Sequence, residues 1–498
     1  MSGGRRPALR GASSDPTVGK RANKPGRPGA EPVERRGSIK GKAGSRDTGW
    51  TLGQETVQQV ASRIRRAVER NPRERLTALL HHINHATLRE AYFGLKRAAA
   101  AGVDRVTWKA YGEGLEERLL DLQDRVHSGA YRARPVRRVE IPKPDGSKRP
   151  LGITALEDKI LQKAVVDCIL TPIFEAEFLG FSYGFRPGRG AHDALDALAY
   201  AIQREKVNWI VDADIRGYFD AIDRGWLVRF LEHRIGDRRV VRLIQKWLRA
   251  GVMQDGAWSD SGVGTPQAAN VSPVLANVVL HYVLDLWFHR RWRPQVPRGK
   301  ARIVRYADDF VVGFQHKEDA ERFLGDLKER LARFGLELHP KKTRLVEFGR
   351  FAAADRKSRG QGKPETFDFL GFTHYVGKTR RGWFRLGRKP VAKRMGRTLQ
   401  RIRAALRRRW HDDIWEVGQW LGQVVDGWLN YYAVPGSSHW LSAFVLRVKR
   451  LWMRALRRRS QRDRTAWSKL ERMTELLWPR ARIRHPWPDR RFAVKHLR

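Results

Sequence analysis

The stretch Ile303-Val304-Arg305-Tyr306-Ala307-Asp308-Asp309-Phe310-Val311-Val312-Gly313-Phe314 sets two short β-prone runs on either side of a turn, the pattern of a hairpin. With Ile303, Val304, Val311 and Val312 anchoring the flanking strands in a core, Asp308 and Asp309 are pushed together at the tip, where their charges repel. A divalent cation relieves that repulsion. Magnesium fits best, because it keeps several waters and takes carboxylate and phosphate oxygens. A partner strand is offered upstream by Asn208-Trp209-Ile210-Val211-Asp212-Ala213-Asp214, whose β-prone core ends in two carboxylates. Asp212 and Asp214 share one strand face, so periodicity does not choose between them. Aspartates also populate solvated turns through local hydrogen bonds. The second acidic strand and the charge balance of the chain weigh against that plainer reading.

That balance is extreme. Among 498 residues, Lys and Arg number 99 against 53 Asp and Glu, a formal charge of +46. A polyanionic partner follows, and 18 Trp interleaved with the cations favour nucleic acid, through phosphate contacts and base stacking, over a membrane surface. No run is long and apolar enough to span a bilayer. Cys168 is the sole cysteine, which excludes internal disulfides and cysteine-based zinc sites and makes a reducing compartment the natural home. It lies in an apolar-periodic stretch and reads as a buried core thiol.

In chain order, residues 1–49 are rich in Gly, Pro, Ser and cations and read as a disordered basic arm. Val57, Val60, Ile64 and Val68 predict one helical face, and Leu76 to Leu80 and Leu88 to Leu95 two further helices. His81, His82 and His85 read as surface or capping residues rather than a metal site. Val136 to Ile141, a Pro-Asp-Gly turn and Lys148 to Ile153 predict a hairpin whose Lys143, Lys148 and Arg149 form a basic finger able to grip a triphosphate. A helix is expected over Leu156 to Phe178. The loop Phe181 to Gly190 mixes aromatics with Arg186 and Arg189, which suits a template backbone. One helix is expected over Trp226 to Leu248, another over Ala268 to Leu286, a third over Glu318 to Phe334, and a short strand at Leu336 to Leu338. Phe219, five residues past Asp214, suits either the underside of a nucleotide sugar or a buried core position, and Gln267 at a loop-to-helix junction suits a base pair or a nucleotide backbone. Beyond about residue 388 the strand signals largely stop. Helices carrying Met395, Leu399 and Ile402, then Val417, Leu421 and Trp428, then Leu441 to Leu456, form a basic bundle with Arg397, Arg401, Arg457 and Arg458 on its outer faces.

Taken in order, these blocks resemble a bacterial group II intron reverse transcriptase and maturase from about residue 75 onward. The resemblance is carried by Gly102-Val103-Asp104, Ile141 to Gly146, Arg149 to Ile153, Ser182 to Gly188, Asp214 to Phe219, Gly264 to Gln267, Tyr306 to Asp309 and Phe369-Leu370-Gly371-Phe372. Gly427 to Tyr432 and Arg457 to Arg462 resemble the family's maturase region. It implies an α+β right-hand polymerase of fingers and palm, followed by an all-α basic thumb that doubles as maturase and DNA-binding region. The expected bounds are 1–49 for the arm, 50–135 for an N-terminal helical extension and the start of the fingers, 136–387 for fingers and palm, and 388–498 for the thumb. It implies that Asp214, Asp308 and Asp309 hold two magnesium ions, and that Lys143, Arg149, Phe219, Gln267 and Lys342 handle the nucleotide. Arg186, Arg189, Arg397, Arg401, Arg457 and Arg458 are the expected RNA contacts. The implied function is an RNA-directed DNA polymerase that assists splicing of its intron and performs target-primed reverse transcription. The alternative is a splicing factor with a silent polymerase site.

Implied partners are intron RNA, target DNA and deoxynucleoside triphosphates, with no membrane, in the bacterial cytoplasm and on the nucleoid when bound to DNA. A dimer is compatible with the sequence. Two departures stand out. Ala268 and Ala269 follow Gln267 where the family usually begins with Gly, and an added methyl at a close backbone approach crowds the nucleotide. Many relatives carry a cysteine-ligated zinc nuclease near the C-terminus. With no cysteine after Cys168, second-strand DNA cleavage is not expected.

Overall fold

The computed structural model describes residues 56–142, 148–254, 257–259, 269–459 and 465–495. Lys143, Gln267, Ala268, Ser460 to Arg462 and the arm of residues 1–49 lie outside them, and Arg149 is described for its backbone alone. The strands, in chain order, are β1 (Val136–Pro142), β2 (Lys148–Ile153), β3 (Trp209–Ala213), β4 (Val252–Gln254), β5 (Ala257–Ser259), β6 (Ala301–Tyr306), β7 (Asp309–Phe314), β8 (Arg344–Glu347), β9 (Phe367–Phe369), β10 (Phe372–Lys378) and β11 (Phe384–Pro390). They form three sheets, ordered β2-β1-β4-β5, β6-β7-β3-β8 and β11-β10-β9, joined by many helices into a mixed α/β architecture.

The four-stranded antiparallel sheet β6-β7-β3-β8 divides the molecule. Both of its faces are covered, which explains why β7 is buried from Phe310 to Phe314 instead of alternating. One face, carrying Val211, Ile303, Phe310, Val312 and Phe314, packs on a core with the helices Ser272–Leu280 and Lys317–Ala332. The other, carrying Ile210, Val304, Val311 and Val346, packs on the helix Ala191–Arg204, on β9 to β11 and on the C-terminal helices. The strand period of two sorts the side chains between these cores. At about 1.5–3 kcal/mol for each large apolar side chain buried, this two-sided packing fixes the strand register.

The C-terminal helices are therefore tied to the sheet through a shared core. Helices Ala392–Arg408, Ile414–Tyr432, Ser438–Arg457 and Trp467–Leu477 follow β11, and the described residues after Pro390 contain no strand. The last helix, Pro488–Lys495, returns to lie against Ala191–Arg204. There Asp196, fully buried, accepts from Arg491 Nε at 2.5 Å and faces Arg388 at 3.4 Å. His192 stacks on His485 with ring centroids 3.9 Å apart.

Several expectations are met closely. The helix Val57–Arg70 buries Val60, Ile64 and Val68, and Cys168 is buried, its thiol pushed up to about 12 by burial. Among the described residues no helix is long and apolar enough to cross a membrane. Others need correction. Leu76 to Leu80 is not a helix, because Leu76 forms an isolated parallel bridge with Ile235 and only Leu80–His82 turns helically. His82 is buried rather than at the surface, and burial lowers its imidazole to about 4. The apolar period over Trp226 to Leu248 hides a break. Two helices, Arg224–Glu232 and Arg238–Arg249, meet at Asp237, which caps the second and accepts from the backbone N–H of Leu79 and Leu80 at 3.0 Å each. Leu336 to Leu338 contributes a single bridge, Leu338 with Ile215, in place of a strand.

Candidate functional site

β6 and β7 pair antiparallel from Ala301 opposite Phe314 to Tyr306 opposite Asp309, which leaves Ala307 and Asp308 as a two-residue turn. Ala307 has φ of 59°, in the left-handed region that such turns usually reserve for glycine. Surrounding groups hold it there. Arg305 is fully buried and donates to Ala307 O at 2.9 Å, to Asn277 Oδ1 at 2.8 Å, and to both carboxylate oxygens of buried Asp285 at 2.5 and 2.8 Å. Asn277 in turn donates to Gly184 O at 2.7 Å. Gly184 itself passes so near the turn that a Cβ there would sit 2.3 Å from Ala307 N. Its neighbour Tyr183 donates its backbone N–H to Arg305 O at 2.8 Å.

β3 lies beside β7 with Asp212 opposite Val311 and Ala213 opposite Phe310. One residue further in that register, Asp214 opposes Asp309. The alternation that puts Ile210 and Val311 on one face puts Asp212, Asp214 and Asp309 there too. Solvent reaches the Asp309 carboxyl, yet it sits in a concavity of protein. That surrounding bulk, followed by Asp308, Asp212 and Asp214, pushes it up to about 7, while Arg394 pulls it back. Such a shift under several like charges is the mark of a site that calls for a cation.

Lys342 Nζ lies 2.7 Å from Asp214 Oδ2, and Arg344 Nη2 lies 3.2 Å from Asp212 Oδ2. The backbone of Asp214 accepts from His339 N at 2.8 Å, which fixes the segment carrying Lys342. Among the described residues no three acidic, imidazole or thiol groups converge into a ready-made metal cage.

Of the remaining residues singled out by sequence, Phe219 is half-buried beside Tyr218, with ring centroids 5.6 Å apart. Tyr218 is anchored through its hydroxyl to Ala276 O at 2.6 Å. Arg186 does not face a template. It is buried, clamped on Glu175 at 2.7 Å and donating to the carbonyls of Leu179 and Ser182, so its guanidinium is spent on the fold. Arg189 is half-buried and donates to Gly180 O at 2.7 Å. Arg401, Arg457 and Arg458 are exposed, and Arg397 is half-buried on the same helix as Arg401.

Sequence reasoning missed Arg305, Asp285, Asn277 and Arg394. The first two carried a signal: a cation inside the β-prone run Ile303 to Tyr306, and a carboxylate within the apolar run Val278 to Leu286, each needing a buried partner. Arg394 acts from the start of Ala392–Arg408, beside the turn Leu370-Gly371, where Gly371 has φ of 84° and Tyr431 Oη donates to Leu370 O at 2.6 Å.

The reverse transcriptase (RNA-dependent DNA polymerase) family matches residues 141–374. Protein YkfC of Escherichia coli (strain K12) is 34% identical over 245 residues, 44% of this chain and 64% of that protein. The group II intron-encoded protein LtrA of Lactococcus lactis subsp. cremoris is 39% identical over 178 residues, 34% of this chain and 29% of that protein. An uncharacterized 91 kDa protein in the cob intron of Schizosaccharomyces pombe is 37% identical over 166 residues, 32% of this chain and 20% of that protein. The chain thus spans less than two thirds of the length of each of these relatives.

Proposed function

We propose that this chain, which matches the reverse transcriptase family over residues 141–374 and is similar to a group II intron-encoded protein, copies RNA into DNA at the Asp214, Asp308 and Asp309 cluster and also binds its intron RNA to assist splicing. The observation that carries the reading is the register of β3 on β7, which, carried one residue past the Ala213–Phe310 pair, sets Asp214 against Asp309, with the Asp309 carboxyl pushed up to about 7 by the protein around it and by Asp308, Asp212 and Asp214. Asp214, Asp308 and Asp309 would hold two magnesium ions, which supply Lewis-acid activation of a primer 3′ hydroxyl and charge neutralisation of the triphosphate and leaving pyrophosphate.

The chain's own residues set the geometry. Arg305 and Asp285 hold the turn so that Asp308 and Asp309 are presented without rearrangement, the preorganisation that makes electrostatic stabilisation effective. Lys342 pairs with Asp214 and would carry its charge to the triphosphate. Phe219 is assigned to the sugar of the incoming nucleotide, where it would screen for a missing 2′ hydroxyl. Lys143, Arg149 and Gln267 are assigned to the fingers side of the nucleotide. Residues 136–387 serve as fingers and palm behind the extension of residues 50–135, and residues 388–498 as a thumb and maturase region that grips intron RNA and target DNA through Arg397, Arg401, Arg457 and Arg458. In splicing the RNA performs its own transesterifications, and the protein acts by binding the active RNA conformer in preference to others.

Primer extension on an RNA template with magnesium and deoxynucleotides tests the proposal, comparing wild type with Asp308→Ala. Extension by the wild type alone is expected. If neither protein extends while both promote splicing of the intron, the polymerase reading is wrong and the protein is a maturase.

A further inference from the structure

The sheet β11-β10-β9 has a second face. Its inner side, with Phe367, Phe369, Phe372 and Leu386, is buried in the core shared with the C-terminal helices. The register pairs Thr373 with Lys389, Tyr375 with Gly387 and Gly377 with Arg385, so these residues point to the outer side. A final pair, Thr379 N to Trp383 O at 2.8 Å, carries the alternation to Trp383 at the hairpin tip. The tip is well formed: Gly382 N donates to Thr379 O at 3.0 Å and Trp383 N to Thr379 Oγ1 at 3.1 Å.

Trp383 is 72% exposed, and Arg380 and Arg381 beside it are exposed as well. Along the strand, Trp383, Arg385 and Lys389 form one stripe, which Tyr375 of the neighbouring strand joins opposite Gly387. The Tyr375 ring lies flat across Gly387, where an added Cβ would sit 2.2 Å from Tyr375 Cζ. Lys389 Nζ lies 5.9 Å from the centroids of both Tyr375 and Trp440. Asp368, the carboxylate on this face, lies at its far end and is engaged by Thr373 Oγ1 at 2.5 Å. A lone exposed tryptophan means little, but aromatics beside cations on a half-exposed sheet face match the demands of unpaired bases and their phosphates.

The geometry points to the outer face of β10 and β11, with Trp383 as its stacking residue and Arg385 and Lys389 as its phosphate contacts, as a docking surface for a single-stranded segment of the intron RNA. The partner's identity rests on the function proposed above. β10 runs from Phe372 to Lys378, and its seven residues set the hairpin tip roughly 20 Å from the Phe372 end.

The test uses the full chain and a labelled twelve-nucleotide RNA without secondary structure, with binding measured over a range of salt concentrations. At raised salt, where the general basic surface contributes least, Trp383→Ala is expected to weaken binding about tenfold without changing the salt slope, and Trp383→Phe to restore most of it. Arg385→Gln with Lys389→Gln is expected to lower the slope by about 1.4, two contacts at about 0.7 each. Wild-type affinity in both variants would overturn the inference, as would a loss confined to duplex RNA or to single-stranded DNA. Primer extension on a pre-annealed template separates the two readings. RNA binding through Trp383 by a protein that cannot extend would reject the polymerase and support this surface. Normal extension with no effect of Trp383 would do the reverse.

Discussion

Replacing Asp285 with Asn tests how the Ala307-Asp308 turn is held. Arg305 and Asp285 are both fully buried and joined by two short parallel hydrogen bonds. Burial pushes the Asp285 carboxyl up and Arg305 draws it back, with burial the larger influence. Asp285→Asn removes the compensating charge and leaves a guanidinium stranded in the core, at a cost of about 3–5 kcal/mol. At roughly 2–4 °C per kcal/mol for a cooperative unit of about 150–250 residues, thermal unfolding should fall by roughly 6–20 °C. Arg305→Met combined with Asp285→Leu should recover most of that stability, because a buried ion pair hardly outperforms apolar groups of similar volume. Primer extension should stay lost in the double variant, since Ala307 O and Asn277 Oδ1 no longer have their donor. The assays are thermal unfolding and primer extension on the two variants and the wild type. A shift below about 2 °C for Asp285→Asn, a double variant as unstable as the single one, or full extension by the double variant would each refute the reasoning.

Gly184→Ala should abolish extension while intron RNA binding persists, because the new methyl would displace the backbone of Ala307; normal extension would show that the close approach is dispensable. Lowering the pH from 6.5 towards 4 should destabilise the protein. Burial holds the imidazoles of His82 and His192 down to about 4 and those of His281 and His374 down to about 3. A depressed histidine contributes stability that is fully present above the unfolded value of about 6.5 and is lost on acidification, as the unfolded chain takes up the proton first. His374→Phe keeps the stack on Phe367 and should flatten the fall in melting temperature across that window; an unchanged slope would exclude this cause.

What could be read from the sequence follows the physics of range. The hairpin bearing Asp308 and Asp309, the strand ending at Asp214 and the helix Val57–Arg70 are written in local periodicity, and the structure forms each of them. The opposition of Asp214 and Asp309 depends on strand register, which is decided by burial on two faces and is not visible in either strand alone. Arg186 shows the converse: its loop looks like a nucleic-acid contact, and only the position of Glu175, eleven residues away, shows that it is a structural strut. The break at Asp237 was hidden because the apolar period continues through it, and the carboxylate acts on Leu79 and Leu80, more than 150 residues distant.

The pairing of Arg491 with Asp196 also sets a timetable. These residues are 295 positions apart. At about 5–20 residues per second of synthesis, roughly 15–60 s separate the emergence of the acid from that of its cation. Throughout that interval the carboxylate of the helix Ala191–Arg204 and the stacking face of His192 lack the cover of residues 485–491. The nascent chain therefore waits on those residues to close this face of the helix, and a ribosome that stalls before residue 485 leaves it open to solvent and to other chains.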